Sequence, residues 1–91
     1  MFPRKLGAVV MRTVLAGAPA LQVTHFPDGE GWGITDGGDP NAPGACIATH
    51  ISHVVDIDPS LVELAAMAPG HVANREQAAG PWIISRFEWA N

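Results

Sequence analysis

The spacing of hydrophobic and polar positions changes several times along this 91-residue chain, and each change predicts an element. Val9, Val10, Thr13, Val14 and Leu15 are β-branched or apolar and lie between Gly7 and Gly17, which predicts a first strand. Leu21 to Phe26 alternates, with Leu21, Val23 and His25 on one face and Gln22, Thr24 and Phe26 on the other. That is a second strand, stopped by Pro27. Asp28-Gly-Glu-Gly31 has turn chemistry, so Trp32 to Thr35 is a short third strand in a hairpin with the second. Asp36 to Gly44 holds five Gly or Pro in nine residues and predicts an irregular loop.

Ala45 to Ile57 fits two periods. Ile47, Ile51, Val54 and Val55 follow helical spacing, while Ile47, Ile51, Val55 and Ile57 suit a period of two. The helical reading is preferred, from about Thr49. Asp58-Pro59 opens a clearer helix: Asp58 caps it, Pro59 suits the first position, and Leu61, Leu64, Ala65 and Ala68 form its apolar stripe. Pro69-Gly70 ends it. His71 to Asn74 is a short strand, Gln77 to Pro81 a turn, and Trp82 to Phe87 a last strand. The expected fold class is α+β: one domain over residues 1–91, with a small, mostly antiparallel sheet of four to five strands and one or two short helices on one face.

Composition sharpens this picture. Hydrophobic residues are 47% of the chain, enough for a true core. Cys46 is the sole cysteine, so no disulfide forms within the chain, and a small buried or half-buried hydrophobe is its expected role. Arg4 and Lys5 precede the apolar stretch Leu6 to Met11 in the loose outline of a secretory leader. Arg12 interrupts that stretch and Pro19 spoils the cleavage region, so the expected location is cytoplasmic. No apolar run reaches the length of a membrane span.

Charge changes the picture most. The 62 residues between Arg12 and Arg75 contain no Lys or Arg. They hold seven acids, Asp28, Glu30, Asp36, Asp39, Asp56, Asp58 and Glu63, and all four histidines. Such a stretch gives the surface a negative field, which repels nucleic acid and membranes and attracts basic partners. Arg75 ends the stretch and is placed to pair with Asp56, Asp58 or Glu76; an exposed pair of that sort contributes little.

Candidate chemistry is sparse. His50 and His53, at i and i+3, share a face if helical and suit a metal, with His25, His71 or nearby acids completing a site. No H-E-x-x-H or C-x-x-C signature accompanies them. Asp36, Asp39 and Asn41 around two glycines lack the alternating ligands and closing Glu of a calcium loop. Gly29, Gly31 and Gly33 lie among acids with no Lys-Ser/Thr after them, so they do not cradle phosphate. Trp32, between two glycines, is expected first as a core anchor, although its small neighbours also leave a partner room to reach it.

These features accumulate into a pattern: Gly31-Trp32 after an acidic turn, a Gly/Asp loop, Asp58-Pro59 opening a helix with Leu61 and Leu64, then Pro69-Gly70 and Asn74-Arg75-Glu76 before Trp82. The pattern spans roughly residues 24 to 82. It resembles a family of small bacterial proteins grouped with the immunity proteins of polymorphic toxin systems. The resemblance implies a protein that binds and restrains a toxin. The expected function is therefore a non-enzymatic protein-binding module, in its specific form an immunity-like inhibitor. It would cover a basic surface of a partner through Asp28, Glu30, Trp32, Asp36 and Asp39, with no cofactor. The competing expectation is a small metal-binding protein or enzyme built on His50, His53 and nearby carboxylates.

Overall fold

The computed structural model describes residues 6–27, 31–38, 42–78 and 80–86. Its sheet has six strands: β1 (Gly7–Met11), β2 (Gln22–His25), β3 (Trp32–Thr35), β4 (Cys46–His50), β5 (His71–Asn74) and β6 (Ile83–Arg86). Two α-helices, α1 (Arg12–Leu15) and α2 (Ile51–Ile57), and a 3-10 helix (Pro59–Leu64) complete it. The strand order is β4-β1-β3-β2-β5-β6. Among the described residues only β1 and β3 run parallel, and the other four pairings are antiparallel. The α+β class therefore holds, with a mixed but mostly antiparallel sheet.

Register decides which side chains meet. Val10 lies opposite Ile34 and Ile47, Ile34 opposite Val23, and Val23 opposite Ala73. Strand side chains alternate between faces, so these residues share one face. Val10, Ile34, Val23 and Ala73 are buried there. Val14 of α1, Ile51 and Val54 of α2, and Leu61 and Leu64 of the 3-10 helix join them in a single core. Fully burying side chains of this size contributes about 1.5–3 kcal/mol each.

The hairpin forms as its turn chemistry requires: β2 and β3 pair from Gln22 opposite Thr35 to His25 opposite Trp32. The first strand is shorter than its β-branched run predicts. β1 stops at Met11, and Arg12 to Leu15 coil into a helical turn. The chain must leave the sheet here, because β3 lies between β1 and the next strand in sequence. The turn makes the crossing and drops Val14 into the core at 1% exposure.

The ambiguous stretch Ala45 to Ile57 uses both of its periods in succession. Cys46–His50 is a strand and Ile51–Ile57 a helix, with Ile51 and Val54 turned inward. The predicted helix begins at Ile51 rather than near Thr49, and the strand before it, β4, brings the sheet to six where four or five were expected. The backbone N–H of Ile51 donates to Leu6 O at 2.8 Å, which fixes this junction beside β1.

Candidate functional site

The β2–β3 hairpin and the loop that follows it were expected to present the acidic side. Asp28, Glu30 and Asp39 lie outside the described residues. Asp36 is described and half-buried. Its carboxylate accepts the Gly38 N–H at 2.8 Å and the Thr13 hydroxyl at 2.8 Å. These two bonds, the backbone one first, hold its carboxyl below the usual carboxylate range. Gly37 takes a φ of +90° in this turn, a conformation that costs a side-chain-bearing residue strain. Asp36 thus fastens α1 to the end of β3 as well as carrying charge.

Trp32 requires a correction as a partner-binding residue. It is only 3% exposed and belongs to the core. Its ring stacks on His25, its cross-strand neighbour, with centroids 4.0 Å apart and planes 10° from parallel. His25 Nδ1 lies 2.7 Å from the Met67 carbonyl oxygen. A carbonyl only accepts, so this nitrogen carries the proton. The glycines beside Trp32 serve Phe26 instead: a Cβ on Gly31 or Gly33 would come within 3.0 Å of its ring.

Arg75 was expected in an exposed, weak pair. It is buried instead, with its side chain 0% exposed against 24% for its partner Asp58. Its Nε–H donates to Ala20 O at 2.9 Å, Nη1 donates to Ser60 Oγ at 2.8 Å, and Nη2 donates to Asp58 Oδ2. Trp82 covers the guanidinium, 4.0 Å from ring centroid to Cζ. The other oxygen of Asp58, Oδ1, accepts the Ser60 N–H at 3.2 Å and the Ser60 hydroxyl at 2.6 Å. Burial pushes the Asp58 carboxyl up, but the Ser60 and Arg75 hydrogen bonds and the Arg75 charge outweigh it, and the net displacement is downward. Asp58 therefore caps the 3-10 helix, as its Asp-Pro signature predicts, and also neutralises a buried cation. The cap was legible; the burial of Arg75 was not, because the ring that shields it lies seven residues further on.

His50 and His53 do come together. Their ring centroids are 5.9 Å apart and tilted by 52°. They do not share a helical face, since His50 ends β4 and His53 lies in α2. Among the described residues no three or more His, Cys, Asp or Glu side chains gather to hold a metal, and His25 and His71 are elsewhere, against Met67 O and Pro69 O.

A groove of about 460 Å³ runs between Pro19 and the Ile57–Ser60 segment. Its polar groups, Asp58 and Ser60, are already bonded to each other and to Arg75, so neither is poised as a base or nucleophile. No helix among the described residues is long and apolar enough to cross a membrane. No protein-family model matches the chain, and neither the curated proteins nor the solved structures yield a match.

Proposed function

We propose that this chain is a protein-binding module without catalytic chemistry of its own, acting as an immunity-like inhibitor that lays an acidic side over a basic surface of a partner. One observation supports this reading above the others: the cation that ends the acid-only stretch is paired inside the fold with a single acid, so the whole net excess of acids falls to the other side chains. Arg75 gives its charge to Asp58 and none to the surface. The exposed acids Asp56, Glu63 and Glu76, together with Asp28, Glu30 and Asp39 in sequence, keep an unopposed excess. Arg12 and Arg86 are the exposed arginines among the described residues. A basic groove, such as a nuclease's, would relieve that excess, and the same field would speed encounter.

The test is co-expression with the products of adjacent reading frames. It is followed by association kinetics at low and high salt against a variant with Asp28, Glu30 and Asp39 changed to Lys. Asp36 is left in place because it holds α1. A basic partner whose association slows with salt and slows further in the variant supports the reading. Equal, salt-independent rates would leave the acids a role in solubility alone.

A further inference from the structure

β4 and α2 meet at a pair of imidazoles that an acidic cover does not use. His50 is the last residue of β4, His53 is the third of α2, and both are exposed. Their rings lie 5.9 Å apart between centroids. His53 Nδ1 is 3.0 Å from Thr49 Oγ1. A hydroxyl can accept as well as donate. When Nδ1–H donates to it, the lone pair is left on Nε2 and the ring is held in place. Outer hydrogen bonds orient metal-binding histidines in this way. An ion bound at about 2.0–2.1 Å by each ring needs its two nitrogens about 3–4 Å apart. With His53 held by Thr49, the approach to that range falls to the exposed His50 side chain.

We propose that His50 and His53 form a two-imidazole site for a divalent transition ion, copper(II), nickel(II) or zinc(II), with water in the remaining positions. The ligand chemistry selects this class, since imidazole suits these ions and carboxylate or carbonyl oxygen suits calcium and magnesium. With no third side chain in reach among the described residues, the ion is exchangeable rather than a fixed part of the fold. Protons compete for the same nitrogens, so binding weakens as pH falls.

The test titrates copper(II), nickel(II) and zinc(II) chlorides into the purified chain at neutral pH. Calorimetry gives affinity, and electron paramagnetic resonance of the copper form gives the ligands. The expected result is one ion per chain and nitrogen couplings from two imidazoles. Copper should bind tightest. His50→Ala and His53→Ala should each weaken binding by about tenfold or more while the circular dichroism of the fold stays unchanged. Absence of binding would overturn the proposal. So would a one-imidazole spectrum, or affinity that survives both substitutions and disappears in His71→Ala or Cys46→Ser.

Discussion

Arg75 and Asp58 show how much a single pairing can carry once it leaves water. An exposed pair contributes about 0–1 kcal/mol, but removing one member of a buried pair costs about 3–5 kcal/mol because the other charge is stranded. Asp58→Ala also removes a cap worth about 1 kcal/mol. Urea unfolding of Asp58→Ala and of Arg75→Met should therefore show large losses in midpoint, with Asp58→Ala the worse of the two, since it leaves a cation buried. Loss of only about 1 kcal/mol would mean that Asp58 caps and does no more. The pH dependence has a definite sign. Asp58 and Asp36 titrate below the ordinary value of 3.8 in the folded chain. Their stabilisation is complete above that value and drains away as pH falls through the lower folded values. The urea midpoint should fall as pH is lowered from about 5 toward 3, and Asp58→Asn should flatten the fall. At Trp32, burial and the His25 stack make Trp32→Ala cost about 3–5 kcal/mol, enough to unfold a domain this small. A folded Trp32→Ala protein in circular dichroism would contradict the core assignment.

At the scale of elements, Val9 and Val14 are the same residue type in one β-branched run, and the structure separates them. Val9, flanked across β1 by Gly33 and Ala48, is 47% exposed, while Val14 is at the centre of the core. Val14→Ala should cost roughly 1.5–3 kcal/mol in urea unfolding, and Val9→Ala less than about 0.5 kcal/mol. Similar losses would place both valines in one strand. The run looked uniform because β-branched residues favour strands wherever they stand, and only the crossing to β2 forces the bend at Arg12. The Ala45–Ile57 stretch was hard for the same reason. A five-residue strand followed at once by a seven-residue helix offers no Gly or Pro between them, and Ile47 and Ile51 fit either period. Punctuation marks boundaries at Pro27, just past the end of β2, and at Asp58-Pro59, where the 3-10 helix begins; Pro69-Gly70 directly precedes β5, but the helix expected to run to it stops at Leu64 and leaves Ala65 and Ala68 outside.

For the whole molecule, the charge asymmetry is legible without coordinates, but which side chains carry it is not. Five cations stand against nine acids; folding takes Arg75 and Asp58 out together, so the excess of acids is unchanged and is carried by the remaining side chains. Exposed charges screen within about 10 Å at 0.1 M salt, so a partner's association rate should fall as salt is raised through that range while dissociation changes less. Stopped-flow measurement separates the two. The acids of the hairpin are a matter of sequence, while the burial of Trp32 rests on its stack with His25 and on a core gathered from distant elements, which no local pattern reveals.

The strand order has a consequence for synthesis. β3 enters between β1 and β2, so a three-stranded sheet is available once residues up to Thr35 have left the ribosome. Every later strand adds to an outer margin: β4 beside β1, β5 beside β2, β6 beside β5. No finished pairing has to reopen, so the chain can assemble in the order in which it is made. Arg75 follows β5 directly and reaches back to Ala20 and Asp58. It closes the structure late, as a bolt joining the earliest-made third of the chain to the last.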